Sequence, residues 1–278
     1  MNWCIVTDSS CDYNFDKKLS ENIYFSKIPF TISIGDQEYI DDSTLDVSSM
    51  IDNMDECKDV GRTACPAPGA WYEAFKQADQ IIAITISSNL SGSYNSALAA
   101  KELILEEYPE KKIFILDSRS TGPAMAMYVK RAAELIEGGM EFDAVSRELK
   151  AFVEKRHTVF ALSSFGNLVK NGRMSKLAGF VAGKLNLWGI GIGSNEGRIV
   201  IKGKTRGTKG IISQFINDMK ENKFESGHVV ISHCLNPEIA EKLKESILDV
   251  WKDAEVEILM VSGLCGYYAE RHGLIVAY

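Results

Sequence analysis

Three segments in the first half of the chain repeat one design: a short β-branched run ends, a polar loop follows, and a helix-forming stretch begins. They are Val6-Thr7-Asp8-Ser9-Ser10, Ile86-Ser87-Ser88-Asn89-Leu90-Ser91-Gly92-Ser93 and Leu116-Asp117-Ser118-Arg119-Ser120-Thr121-Gly122-Pro123. Strands alternating with helices build βαβ units, and these give a largely parallel sheet with helices on its faces. In such a sheet the three loops gather beyond the carboxyl ends of the strands, where open α/β sheets bind ligands. Helix N-termini there present unpaired N–H groups and positive dipole ends, which suit an anion. Ser, Thr and Asp are also ordinary helix caps. One such loop decides nothing; three together point to a ligand site.

The same alternation predicts strands over 3–7, 80–86 and 112–116 and helices over 46–56, 68–78, 93–108 and 124–137. Gly35-Asp36-Gln37 reads as a hairpin turn between 31–34 and 38–40. Gly138-Gly139 ends a helix, the 3.6-residue period resumes over 142–155, and the chain turns at Arg156-His157. A chain of 278 residues suits two domains, so the boundary is expected at that turn, between an N-terminal α/β domain of residues 1–156 and a C-terminal mixed α/β domain of 157–278. The second half reads as strand 159–162, two glycine-punctuated helical pieces around Gly172, and strands 188–194 and 198–202 about the reversal Asn195-Glu196-Gly197. Helix 209–221, strand 228–233, helix 237–251, strand 255–261 and an apolar run 274–278 follow. The expected class is a mostly parallel three-layer α/β domain joined to a mixed-sheet α/β domain.

Composition narrows the function. A formal charge of −7 argues against nucleic acid as the main partner. The opening Met1-Asn2-Trp3-Cys4-Ile5-Val6-Thr7-Asp8 lacks the basic and apolar regions of an export signal, and no apolar stretch approaches the roughly 20 residues of a membrane span. A cytoplasmic protein without an integral membrane segment is expected. The six cysteines stand far apart with no C-x-x-C pair, which speaks for reduced thiols rather than zinc ligands or a disulfide framework. No metal or cofactor is expected. Glycine-dense Gly189-Ile190-Gly191-Ile192-Gly193 leads into a strand and not a helix, Gly203-Lys204-Thr205 lacks the spacing of a phosphate loop, and no nucleophile elbow or H-E-x-x-H is present. No catalytic residue is assigned. A phosphotransferase or hydrolase remains an alternative, because Asp8 and Asp117 stand next to serines and a carboxylate beside a hydroxyl can activate it. A regulatory protein that senses lipid is another.

Thr63, before the rigid Pro66-Ala67-Pro68, could face the same crevice or simply lead into a helix. The basic stretch Arg198, Lys202, Lys204, Arg206 and Lys209 reads by default as a solvated face. Ala178-Gly179-Phe180-Val181-Ala182-Gly183 carries small residues at helical spacing, for close helix packing or for room beside an alkyl chain.

Taken together these segments resemble the DegV family of bacterial fatty-acid-binding proteins. The matching residues are Ile5 to Ser10, Thr63 to Pro68, Ile86 to Ala97, Leu116-Asp117-Ser118, Asn171-Gly172-Arg173-Met174-Ser175 and Lys204-Thr205-Arg206-Gly207, in order along nearly the whole chain. The resemblance implies one long-chain fatty acid buried between two domains, with its carboxylate held by Thr63 and Ser91. It implies accessory roles near the carboxylate for Arg173, Ser118 and Tyr268. It also implies a partner, the catalytic subunit of a fatty acid kinase, to which the acid is presented for acyl-phosphate formation in phospholipid synthesis, with transient membrane contact. Many relatives carry a histidine and Gly-Pro-Gly near the carboxylate, whereas this chain has Gly263-Leu264-Cys265-Gly266-Tyr267-Tyr268-Ala269-Glu270-Arg271-His272-Gly273. Counting from the C-terminus puts Tyr268, not His272, at the histidine position.

Overall fold

A computed structural model describes residues 2–13, 18–57, 59–174 and 186–278. Its first half contains β1 (Trp3–Asp8), β2 (Lys18–Ser20), β3 (Ile23–Ile28), β4 (Thr31–Ile34), β5 (Gln37–Ile40), α1 (Val47–Glu56), β6 (Arg62–Ala64), α2 (Pro68–Phe75), β7 (Gln80–Thr85), α3 (Ser93–Glu107), β8 (Lys112–Asp117), α4 (Pro123–Glu137) and α5 (Phe142–Glu154). The second half contains β9 (Thr158–Leu162), α6 (Gly166–Lys170), β10 (Leu187–Gly193), β11 (Ile199–Arg206), α7 (Gly207–Glu221), β12 (Gly227–His233), α8 (Pro237–Val250), β13 (Ala254–Met260), α9 (Gly263–Ala269) and β14 (Leu274–Ala277). The small-residue stretch 178–183 lies outside the described residues.

Strand alternation accounts for the three layers. The first sheet runs β2-β3-β1-β7-β8, and its central neighbours β3, β1, β7 and β8 are parallel. Along β1, Cys4 and Val6 point to one face, where they pack with Trp71 and Phe75 of α2 and Ala97 and Ile104 of α3. Trp3 and Ile5 point to the other, against α4 and α5. Every β1 and β7 residue is buried, as a sheet covered on both faces requires. The second sheet, β11-β10-β9-β14-β12-β13, is antiparallel except where β12 pairs with β13. Val159 and Ala161 of β9 pack under α7 and α8. Their neighbours Phe160 and Leu162 point the opposite way, together with Ile275 of β14. That inner face looks toward the first half of the chain and forms one wall of the site.

Strands β2 and β3 were not expected from the sequence, and two further features that bear on the site differ from it. The stretch around Thr63 is a strand, β6, paired with β4 in a small sheet β5-β4-β6. The segment 263–269 is a helix, α9, held from outside itself. Asp41, only 4% exposed, accepts from the N–H groups of Gly263 at 2.7 Å and Leu264 at 2.8 Å, and Asp12 accepts from Ser262 N at 2.9 Å. A carboxylate at a helix N-terminus satisfies donors that lack partners within the helix. Burial nevertheless pushes the Asp41 carboxyl above its ordinary range, against the N–H bonds that pull it down. Because the folded value is raised, the folded chain takes up a proton that the unfolded chain lacks. Asp41 therefore adds stability as pH falls through the folded value toward the ordinary carboxylate range, and that part is lost as pH rises. Asp41→Asn should remove this slope, so that melting curves of wild type and variant between about pH 7 and about pH 4 shift in favour of the wild type toward the acid end. Parallel curves would deny Asp41 the role.

The six cysteines are free thiols, four of them buried. Burial pushes Cys4, Cys11 and Cys234 up to about 12, which leaves them inert at neutral pH.

Candidate functional site

The ends of β7 and β8 and the segment after β1 converge as expected, and one carboxylate ties the loops after β1 and β7. Asp8, fully buried, accepts from Ser10 Oγ at 2.5 Å, Ser93 Oγ at 2.6 Å, Ile86 N at 2.9 Å and Ser10 N at 3.2 Å. Asp117 binds Ser88 through both backbone N and hydroxyl. Neither Asp8 nor Asp117 lines the cavity beside these loops. The carboxylates shape the loops and leave the cavity to other groups.

That cavity is a slot between the two sheets, with about 850 Å³ free of protein atoms counting the part open to solvent. Its walls are chiefly apolar. Phe30, Ile86 and Leu90 line it from the first half, and Phe160, Leu162 and Ile275 from the inner face of the second sheet. Thr63, Ser91, Arg173 and Tyr268 all line it as well. Four residues separated by up to 205 positions are thus brought to one place.

Hydrogen-bond valence shows what they can hold. Ser91 sits in a turn where Leu90 N and Ser91 N both donate to Ser87 O, at 2.9 and 3.1 Å. Its Oγ accepts from Ser93 N at 3.3 Å, so its own proton points elsewhere. Thr63 Oγ1 and Tyr268 OH lie 2.8 Å apart, and since only one donates to the other, the pair keeps one proton for a third group. Arg173 is fixed by bonds from Nε to Leu90 O at 3.2 Å and from Nη1 to Asn171 O at 2.6 Å, and its guanidinium lies 5.8 Å from the Tyr268 ring centre. Among the described residues no carboxylate pairs with it. Burial raises the Tyr268 hydroxyl above its usual value, with Thr63 and Arg173 pulling it back, so it stays a donor at neutral pH. Spare protons and the Arg173 guanidinium in the wall of an otherwise apolar slot can hold a carboxylate with a long apolar tail.

Ser118 is placed differently from the other candidates. Its hydroxyl donates to Ser120 O at 3.0 Å and accepts from Ser120 N at 3.1 Å, and the residue is 1% exposed. It closes its own turn and does not line the slot. Residues that the sequence did not single out join the site instead. Thr121 and Cys265 line it, 3.3 Å apart, and the tip of the β10–β11 hairpin rests on the Ser91 loop. There Ser87 Oγ donates to Gly197 O at 2.7 Å and Asn89 Nδ2 to Glu196 O at 2.7 Å. Gly197 has φ +77°, and a Cβ on it would stand 2.2 Å from Ser87 Oγ, so only glycine permits this approach. The basic residues of β11 remain outside the slot, and Arg198, just before β11, lines it; Arg198 pairs with Glu196 and Lys202 with Glu221 on the exposed edge. No described helix is long and apolar enough to cross a membrane.

A family model described as an uncharacterised protein of the DegV family matches residues 2–277. A DegV domain-containing protein of Streptococcus pyogenes serotype M1 is 38% identical over 278 residues, covering 100% of this chain and 99% of that protein. Among solved structures, the Streptococcus pneumoniae fatty acid kinase (Fak) B3 protein loaded with linoleic acid superposes with a TM-score of 0.96 at 36% identity, covering 100% of this chain and 99% of the other. A DegV family protein from Eubacterium eligens loaded with heptadecanoic acid gives a TM-score of 0.94 at 35% identity over 99% of this chain and 98% of its own.

Proposed function

Since the chain belongs to the DegV family, we propose that it binds one long-chain fatty acid in the slot, with the carboxylate on Thr63 and Ser91 and with Arg173 and Tyr268 beside it. The observation that carries this reading is the meeting of Thr63, Ser91, Arg173 and Tyr268 at an otherwise apolar cavity. The same two-sided slot supports a division into functional units at residues 156 and 157, with the acid between them. The chain works in the cytoplasm as the lipid-binding member of a fatty acid kinase system, presenting the carboxylate to a separate catalytic subunit that forms the acyl phosphate. It has no catalysis of its own: Asp8 is wholly buried with Ser10 and Ser93, and neither Asp8 nor Asp117 lines the slot.

Denaturing the purified protein and analysing the extract by mass spectrometry tests the ligand. Recovery of long-chain acid at close to one per chain is expected; a protein that neither carries nor takes up such an acid would sink the proposal. Thr63→Ala and Ser91→Ala should each weaken binding by about 1–3 kcal/mol, since a buried carboxylate loses a donor. Equal affinity in both variants would move the carboxylate elsewhere. Affinity should also fall by about 0.8 kcal/mol for each methylene removed from the acid, and a titration series that ignores chain length would place the tail outside the slot.

A further inference from the structure

The acyl slot shares Arg119, Ser120, Thr158 and Gly193 with a second cavity of opposite character. This neighbour has about 760 Å³ free of protein atoms on the same count and is mainly polar. It lies where the loop after β8, the end of α5 and the start of the β10–β11 turn meet. Ser120 Oγ and Thr158 Oγ1, 2.8 Å apart, stand on the boundary between the two spaces.

Two guanidinium groups belong to it. Arg156 lies over the Phe152 ring, 4.6 Å from its centre, and its Nε is buried without an acceptor. Arg119 is held at φ +49°, a left-handed conformation that is costly for arginine, and its side chain reaches only Asn195 O at 3.4 Å. Among the described residues no carboxylate forms an ion pair with either; Glu154 also lines the cavity but is exposed. Ser194 Oγ accepts from Glu196 N at 3.3 Å and Arg198 N at 3.1 Å, which leaves its proton to donate. A buried cationic donor without a protein acceptor, a strained arginine and a spare hydroxyl proton around one cavity form an anion receptor. Guanidinium forks match the oxygens of a phosphate, and donors arriving from three separate elements can share its several oxygens.

We propose that this cavity is a second ligand site, adjoining the acyl slot, which takes a phosphate group on Arg156, Arg119 and Ser194. The chemistry is shared by free phosphate and by phosphate monoesters such as a lipid headgroup, and two titrants separate them. Calorimetric titration of the purified full chain with inorganic phosphate, and independently with glycerol phosphate, should show saturable binding of at least one. Arg156→Gln should weaken it roughly tenfold or more, Ser194→Ala by a smaller factor, and Thr63→Ala, at the slot, not at all. Tighter binding of inorganic phosphate identifies the free anion, and tighter binding of the ester identifies a headgroup or phosphorylated metabolite. Absence of saturation with both titrants overturns the proposal, as does undiminished binding in Arg156→Gln. If Arg156→Gln fails to fold, Arg119→Gln and Ser194→Ala decide by the same criteria, because Arg119 is exposed and Ser194 half-exposed.

Discussion

Asp8→Ala is expected to lower the free energy of unfolding by about 3 kcal/mol or more, because it strands several buried donors at once. The carboxylate is wholly buried and accepts from the Ser10 hydroxyl of its own loop and from the Ser93 hydroxyl and Ile86 amide at the two ends of the loop after β7. Alanine leaves those buried donors without their acceptor. Burial pushes the Asp8 carboxyl above its ordinary range, although every one of these bonds opposes the shift. Asp8→Asn should therefore cost distinctly less, since the amide keeps one acceptor oxygen and nearly the same shape. Ligand binding should fall along with stability in Asp8→Ala, as Ser93 lies two residues from Ser91 and its backbone N donates to Ser91 Oγ. Chemical denaturation of both variants, followed by fatty-acid titration of whatever folds, checks the pair. Asn and Ala variants of equal stability would show that the carboxylate oxygens are not what the loops hang on.

The strand-to-helix loops were legible because their signal is local. β-branched residues stop, hydroxyls begin, and a helical period follows within ten residues, so β1, β7, β8 and the helices α3 and α4 fall close to their expected places. Grouping the three loops as equals was misleading in one detail. Ser91 and Ser118 occupy similar positions in sequence, but Ser91 keeps a proton to donate while Ser118 spends its hydroxyl on Ser120. That difference depends on the backbone path of each turn, which residue types do not encode. Two elements at the site were illegible for a related reason. β6 is three residues long and exists through its ladder with β4. α9 contains Gly263 and Gly266, poor helix formers, and is fixed by Asp12 and Asp41 from more than 200 residues away. Its only local signal is Ser262, the N-cap whose side chain accepts from Cys265 N. Tyr268 could be found by comparison with a family pattern, but that its hydroxyl meets Thr63 follows from α9 and β6 together, neither of which the chain announces locally.

Gly191→Ala should damage both the fold and the slot through a single methyl group. Gly191 sits in β10 opposite Phe160 of β9, next to a register shift between Ile190 and Gly191. A Cβ built there would stand 2.3 Å from Phe160 Cζ, 2.5 Å from Cε2 and 2.9 Å from Val200 O, far inside contact distance. The backbone oxygen cannot easily retreat, so the Phe160 ring must turn. That ring is 8% exposed and packs at 6.5 Å against Phe165, which leaves it no vacant position except the slot that it already lines. Overpacking of this kind costs about 1–3 kcal/mol, and with the backbone contact added the upper end is expected. A ring driven into the slot competes with the acyl tail, so long-chain acids should lose more affinity than short ones, whereas a variant that was only less stable would lose both alike. Gly203→Ala provides the control. Gly203 pairs with Ile190 across the same ladder, and nothing lies within 4 Å of the Cβ position, so the change should stay within about 0.5 kcal/mol of wild type with binding intact. Thermal melts and chain-length titrations of the two variants separate these outcomes. If Gly191→Ala and Gly203→Ala behave alike, Phe160 is not the wall that sets the width of the slot.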